Sequence, residues 1–306
     1  MLAEPRSFCA GVRRAIDIVE VALERFGAPI YVRKQIVHNE HVVSDLEARG
    51  VRFVDSADMV PPGEVCVLSA HGVSPEVRQG AEERGLTVID ATCPLVAKVH
   101  QESRRFAEDG RTILLVGHAE HEEVEGTFGE APERTLVVST VEDVHALDLP
   151  RDAPVAFLTQ TTLALDETEE IIEAMRERFD DLLGPGSDDI CYASQNRQNA
   201  VKAIAARTDL VLVVGSENSS NSVRMVEVAR TAGAAAHLVP GPEHFQESWL
   251  VGVESVGVSA GASAPEVLVD GLLRRLADLG YGRVEVERTA TENVVFQLPA
   301  LLKGTG

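Results

Sequence analysis

Apolar and polar positions along this chain alternate between two periods. Short apolar runs, as in strands buried on both faces, are followed by stretches whose apolar residues recur every three or four positions, as in amphipathic helices. Residues 10–26 predict a helix with Val12, Ile16, Val19, Leu23 and Phe26 on one stripe, and 29–33 a strand. A helix then runs to about Arg49, with Gly50 as its stop. Strands follow at 51–54 and 65–68, then a helix capped by Ser74-Pro75-Glu76 and a strand at 86–90. The order repeats: a helix from Pro94 to about Glu108, strands at 112–116, 135–138 and 155–158, and a helix with Leu165, Ile172, Met175 and Phe179 facing inward. It repeats again, with a helix after Cys191, strands at 210–214, 236–239 and 251–258, and a helix at 264–278.

Strands alternating with helices indicate three small α/β units, each with a parallel sheet, spanning 10–92, 93–190 and 191–280. The third unit lacks a closing strand of its own. Residues 1–9 have the right context to supply it, as in a circularly permuted repeat, and 281–306 read as a tail packed over another unit. That first strand is short, which leaves the closing strand little length or implies a start further upstream. Ligands of such sheets bind beyond the carboxyl ends of the strands. If the units face a common axis, their strand-end loops line one central cavity.

Composition narrows the function. Hydrophobic residues make up 44% and aromatics 4%, which suits buried strands and packed helices. No apolar run approaches the roughly 20 residues needed to span a bilayer, and the first nine residues are too short and polar for a signal peptide. A cytoplasmic protein is expected, with no membrane partner. The net charge of −21, without a Lys/Arg cluster, disfavours nucleic acid. An anionic small molecule would need local donors: helix starts, hydroxyls, amides and histidines.

Four unevenly spaced cysteines in that compartment suit ligands or buried thiols better than disulfides. Cys66, inside the strand 65–68, fits an inert buried thiol. The other three share a context. Cys93, in Asp90-Ala-Thr-Cys93-Pro-Leu-Val96, ends an extended run and opens a helix with Pro94 at its first position. A thiol there faces unpaired N–H groups and the positive end of a helix dipole. Cys9 and Cys191 repeat the arrangement, 84 residues before and 98 after it. Three thiolates suit an iron–sulfur cluster with one iron open to substrate, and equally a zinc site completed by histidine.

The polar loops carry the remaining chemistry. His118, His121 and Glu123 match no zinc spacing, but a carboxylic acid beside a histidine at a strand end can move protons. His38 and His71 sit in matching loops; each alone reads as a loop hydrogen-bonder, while together with His121 they can grip an anion such as diphosphate. Ser219, Ser220 and Asn221 precede a helix, and Ser263-x-x-Glu266 reads as a capping box, roles compatible with anion binding at a helix start. Thr161 and Thr162 carry the same ambiguity. No Walker A motif or strand-following G-x-G-x-x-G is present, so nucleotide binding has little support.

With these pieces placed, the chain resembles the LytB/IspH family, the 4-hydroxy-3-methylbut-2-enyl diphosphate reductases of the methylerythritol phosphate isoprenoid pathway. The resemblance rests on Phe8-Cys-Ala-Gly-Val12, Val37-His-Asn39, Ser69-Ala-His-Gly-Val-Ser74, Asp90-Ala-Thr-Cys-Pro-Leu-Val96, Gly117-His-Ala, Glu123-Val-Glu-Gly-Thr127, Thr159-Gln-Thr-Thr-Leu163, Asp189-Ile-Cys-Tyr-Ala193, Asn196-Arg-Gln198, Asn218-Ser-Ser-Asn-Ser222 and Ala260-Gly-Ala-Ser-Ala-Pro265, all in family order.

The resemblance implies a three-lobed α/β trefoil around a central [4Fe–4S] cluster. Cys9, Cys93 and Cys191 would hold three irons, and the fourth would meet the substrate's hydroxyl oxygen. His38, His71, His121, Ser219, Ser220, Asn221 and Ser263 would bind the diphosphate. Glu123, with Thr161 bridging to the substrate hydroxyl, would deliver the proton that lets water leave. Two electrons, from reduced ferredoxin or flavodoxin, would give isopentenyl or dimethylallyl diphosphate. Three positions depart from the family pattern: Ser7 where glycine is common, Arg13 where aspartate is common, and Glu122 where proline is common. The last is expected to loosen the loop carrying the proton donor and affect rate rather than reaction type. A zinc hydrolase and a small-molecule binding module are the competing readings, and the carboxyl group of Glu123 has no use in the second.

Overall fold

A computed structural model describes residues 1–303. In chain order the strands are β1 (Leu2–Glu4), β2 (Ile30–Arg33), β3 (Val51–Val54), β4 (Val65–Leu68), β5 (Thr87–Asp90), β6 (Thr112–Val116), β7 (Thr135–Val138), β8 (Pro154–Thr159), β9 (Asp181–Leu183), β10 (Leu210–Val214), β11 (Ala235–Val239), β12 (Val256–Ala260) and β13 (Val286–Arg288). The α-helices are α1 (Ala10–Phe26), α2 (Glu40–Ala48), α3 (Pro75–Glu83), α4 (Pro94–Glu108), α5 (Glu122–Phe128), α6 (Val141–Ala146), α7 (Leu165–Arg178), α8 (Tyr192–Ala205), α9 (Ser220–Thr231) and α10 (Glu266–Asp278). Among the described residues no helix is long and apolar enough to cross a membrane.

These residues gather in two compact units. The first comprises Met1–Arg13, Val37–Asp45 and Tyr192–Val295, the second Arg14–Ile36, Leu46–Cys191 and the residues from Phe296 on. The second unit holds two four-stranded sheets, ordered β3-β2-β4-β5 and β7-β6-β8-β9. The first holds one sheet ordered β11-β10-β12-β1-β13. Every strand pairing is parallel, so the expected α/β class with three small parallel sheets holds. All three sheets share one winding, and β1 takes the place that β5 and β9 take in theirs, with Leu2 opposite Val258.

The strands explain the apolar runs. All positions of β2, β4 and β10 are buried, because helices cover both sheet faces. In β10 the alternation of side chains divides the core in two. Leu210, Leu212 and Val214 pack with Val258, Val269 and Leu272 on one face, and Val211 and Val213 with Val201, Ile204 and Met225 on the other.

Several expectations change. The buried face of α1 is Ala15, Ile18, Val19 and Ala22, while Phe26 is exposed and Val12, Ile16 and Leu23 are half-buried. In α7, Met175 and Phe179 are buried but Leu165, in the first turn, is exposed. The strand expected from 251 begins at Val256, since Val251 and Gly252 form an exposed turn and Gly252 has φ +75°. Cys191, expected to end an extended run as Cys93 does, instead follows irregular chain; the strand β8 pairs with, β9, ends at Leu183. Part of the expected tail is β13, paired with β1.

Candidate active site

Three cysteines stand at helix starts. Cys93 is the N-cap of α4, with Pro94 in the first turn and no side-chain capping bond. Its N–H donates to Ala70 O at 2.9 Å, pinning it beside the end of β4. Cys9 caps α1, its Sγ accepting the Val12 N–H at 3.4 Å while its own N–H donates to Ala262 O at 3.2 Å. Cys191 immediately precedes α8 and donates its N–H to Thr161 O at 2.8 Å. All three are half-buried, whereas Cys66 is sealed inside β4 and burial pushes its thiol up to about 11.

In the second unit the acid is built at the start of α5. Glu123 is 3% exposed. Its Oε1 accepts the Thr161 N–H at 2.6 Å and its Oε2 lies 3.0 Å from Thr161 Oγ1. Burial raises its carboxyl to about 7, against the lowering effect of both Thr161 contacts; the charge of Asp189 adds to the rise. Near neutral pH the group therefore holds and releases a proton. When Glu123 is protonated, its O–H can donate to Thr161 Oγ1, which leaves the threonine's own hydrogen to point onward.

Two histidines flank this acid. His121 caps α5, its Nδ1 accepting the Glu123 N–H at 3.1 Å. A neutral ring that accepts at Nδ1 carries its hydrogen at Nε2, so His121 is a donor without being charged. His71 stands edge-on to His121 with ring centroids 5.8 Å apart, and its Nδ1 is 3.2 Å from Glu122 Oε2. Burial, with help from the charge of Lys34, pushes His71 down to about 4. Glu122 occupies the first position of α5, where proline or an acidic side chain suits the helix start, with its Oε2 beside the neutral His71 ring. The loop of His71 approaches α5 through glycines. A Cβ on Gly126 would sit 3.2 Å from the carbonyl carbon of Gly72, itself at φ +81°.

In the first unit the polar residues interlock at the start of α9. Ser219 is the N-cap, accepting the Ser222 N–H, with Ser220 and Asn221 in the first turn. Ser263 Oγ donates to His38 O at 2.9 Å and lies 3.4 Å from Ser219 Oγ. Asn218 Nδ2 is 3.5 Å from His38 Nδ1. Asn221 is 4% exposed, and its Oδ1 has no hydrogen-bond partner among the described residues. None of these groups is a lysine or arginine. Ser263 does not form the expected capping box: α10 starts at Glu266 without a side-chain cap, and Glu266 instead accepts from Arg6 Nε at 2.9 Å and Ser7 Oγ at 2.6 Å. Neither does Thr161 cap α7, whose N-cap is Ala164.

Ser7 explains one departure. It has φ +57°, the left-handed region that favours glycine, and it is held there by Glu266 on its hydroxyl and by the buried Arg197 on its carbonyl at 2.7 Å. Arg13 is exposed. Sequence reading gave Asp189 no role, yet it is buried, with Oδ2 accepting the Thr159 N–H at 3.2 Å and Oδ1 3.2 Å from Lys98 Nζ. Burial raises its carboxyl to about 6, with Lys98 opposing. Its place two residues before Cys191 was the available signal.

The pattern of the LytB protein family matches residues 1–277. A protein of Nocardia farcinica named 4-hydroxy-3-methylbut-2-enyl diphosphate reductase is 58% identical over 306 residues, covering 100% of this chain and 91% of its own length. A protein of the same name from Acidothermus cellulolyticus is 57% identical over 99% of this chain and 89% of its own. Among solved structures, the E-1-hydroxy-2-methyl-but-2-enyl-4-diphosphate reductase of Plasmodium falciparum superimposes with a TM-score of 0.96 at 37% identity, covering 98% of this chain and 95% of that one. A second, described as the terminal enzyme of the non-mevalonate pathway, superimposes at 0.65 with 31% identity over 91% of this chain and 98% of its own.

Proposed function

The chain belongs to the LytB protein family, and on that premise we infer that it is a 4-hydroxy-3-methylbut-2-enyl diphosphate reductase, acting in the terminal step of the non-mevalonate route to isoprenoids. The reaction replaces a C–O bond by a C–H bond. Two electrons and two protons enter, water leaves, and the products are isopentenyl and dimethylallyl diphosphate.

The residues fit the cofactor this chemistry needs. Three half-buried thiols at helix starts, of which Cys93 makes no capping bond, are the soft donor set that a [4Fe–4S] cluster held on three irons requires. Cys9, Cys93 and Cys191 would hold it. When bound, the cluster supplies the electrons, received from reduced ferredoxin or flavodoxin, and a Lewis-acidic iron for the hydroxyl oxygen.

The chain's own residues handle the anion and the proton. His38, His71, His121, Ser219, Ser220, Asn221 and Ser263 take the diphosphate through mostly neutral donors, which suits a chain of net charge −21. Hydroxyl is a poor leaving group and needs a proton as the C–O bond breaks. Glu123 holds that proton and Thr161 passes it on, its hydroxyl accepting from the acid and donating to the substrate oxygen. The observation that carries this reading is the buried Glu123 carboxyl, gripped by both the N–H and the hydroxyl of Thr161 and raised to about 7. We assign the lobes as 10–92, 93–190 and 191–280 closed by 1–9, with the tail 281–306 adding β13 to the third lobe's sheet, and the enzyme to the cytoplasm.

The test is metal analysis of anaerobically purified protein followed by turnover of the diphosphate substrate with a chemical reductant. Iron and sulfide in equal amounts, near four each per chain as the cofactor's formula demands, with turnover, are expected. One zinc without sulfide after anaerobic reconstitution would sink the reading.

A further inference from the structure

The segment that delivers Cys191 has no regular structure of its own. Between the end of β9 at Leu183 and the start of α8 at Tyr192 the chain is irregular. A cavity of about 570 Å³ runs along it, lined by Phe157, Leu165, Ile172, Pro185, Asp188 and Ile190 among others, so close packing does not hold it from that side.

Polar contacts from α4 hold it instead. Lys98 Nζ donates to Ser187 O at 2.8 Å, to Asp188 O at 3.1 Å and to Asp189 Oδ1 at 3.2 Å. An ammonium group has three N–H donors, and all three find acceptors here. One turn further along, Glu102 Oε1 accepts the Gly186 N–H at 3.2 Å. Residues 186–189 are thus tied to two side chains four positions apart on one helix face. From the other side the end of β8 grips the same segment, through Thr159 N–H on Asp189 Oδ2 at 3.2 Å and Thr161 O on the Cys191 N–H at 2.8 Å. The Asp189 side chain is wholly buried while that of Lys98 is 29% exposed, so water screens this pair less than it would a fully exposed one.

The helix that carries Lys98 begins at the residue after Cys93. Five residues of α-helix, roughly 7.5 Å of rigid rise, separate the two side chains. We propose that Lys98 and Asp189 form a positioning clamp that fixes Cys191 relative to Cys93, so that one helix sets the spacing of two cluster ligands before the cluster arrives. The clamp rests on the reading of both cysteines as ligands. It differs from a generic stabilising pair in being local: it orders 186–191 and leaves the sheets alone.

Lys98→Met keeps the length of the side chain and removes its three donors. The full-length protein, before reconstitution and under anaerobic conditions, is pulsed with iodoacetamide and each cysteine is read by mass spectrometry. Cys66, fully buried in β4, reports global unfolding. Cys191 is expected to label about tenfold faster in the variant, and the reconstituted variant to release iron to a chelator about tenfold faster, the scale of losing a partner that orients a ligand. Cys93 and Cys66 labelling should stay within about twofold of the parent, far below that tenfold change. Unchanged Cys191 labelling, or equal acceleration at Cys66, overturns the clamp. Cys93→Ser tests the underlying reading separately: full iron and sulfide in that variant would remove Cys93 as a ligand, whatever the labelling shows.

Discussion

Helices α5 and α9 occupy the same place in two sheets, each following the strand that lies second from one edge, β6 and β10. Both therefore present the same backbone feature, a helix start with unpaired N–H groups. Their first turns differ. α9 opens with Ser219, Ser220 and Asn221 and has no acidic residue in its first turn. α5 opens behind a histidine cap with Glu122, Glu123 and Glu125. A helix start favours a nearby carboxylate by about 0.3–1 kcal/mol. At Glu123 that effect and two contacts from Thr161 are outweighed by burial, which can move a carboxyl by several pH units. The same topology thus yields two devices. In the proposed function one receives negative charge from outside and the other stores a proton.

Exchanging what each turn holds should break this contrast in unequal steps. The largest effect is expected from Glu123→Gln, which keeps an acceptor for Thr161 and removes the proton. Turnover should fall by about 10²- to 10⁴-fold, the usual worth of a positioned acid, while isothermal titration with inorganic diphosphate changes little. Turnover within twofold of the parent, against that scale, would take Glu123 out of the mechanism.

Next in size is a pH effect on stability. The Glu123 carboxyl rises from 4.5 to about 7 on folding. Between those values the folded chain keeps a proton that the unfolded chain has lost. Its contribution is therefore complete below 4.5 and disappears as pH rises through 7. The difference amounts to about 3 kcal/mol. Unfolding curves of the parent and Glu123→Gln between pH 5 and 8 isolate it: the variant should gain on the parent with rising pH, and a constant difference would refute the shift. His71, pushed from 6.5 down to about 4, acts in the opposite sense in both proteins, costing stability as pH falls through that window.

On the α9 side, Asn221→Ala should weaken inorganic diphosphate binding about tenfold by titration calorimetry, the scale of one hydrogen bond to a charged group. Unaltered binding would leave Asn221 a purely structural residue. The smallest effect is expected away from both helix starts. Ser7→Gly relieves a left-handed conformation worth about 1 kcal/mol and gives up the hydroxyl bond to Glu266, worth about the same. Denaturant unfolding should show a net change below about 1 kcal/mol; a larger loss would mean that the hydroxyl holds the Cys9 loop by itself.

How much of this was legible varies with the range of the interaction. The Cys93 junction is local, since a strand-like run, a cysteine and a proline define a helix start within five residues. The cap of α9 is equally local. Glu123 is not: the stretch from Gly117 to Thr127 looks like a solvated acidic loop, and only the end of β8, some 38 residues on at Thr161, makes it a buried acid. Ser263-x-x-Glu266 has the right spacing for a capping box, but Glu266 is claimed by Arg6 and Ser7, about 260 residues away. Lys98 and Asp189 lie 91 apart, so no local pattern announces them. β9 and β13, three residues each and mostly exposed, lack the apolar run that marks a buried strand.

The winding of the first unit's sheet has a consequence for how the protein is made. Strand β1 sits between β12 and β13, with Leu2 beside Val258 and Val286. The two sheets of the second unit draw their strands from residues 30–90 and 112–183, so each can assemble soon after it leaves the ribosome. β1 emerges before all of these and must wait for β12, 256 residues later. At typical rates of synthesis that interval is roughly 13 to 50 s. An early strand with exposed edges must spend it without its partners, a window in which a chaperone, or the wrong neighbour, can reach it first.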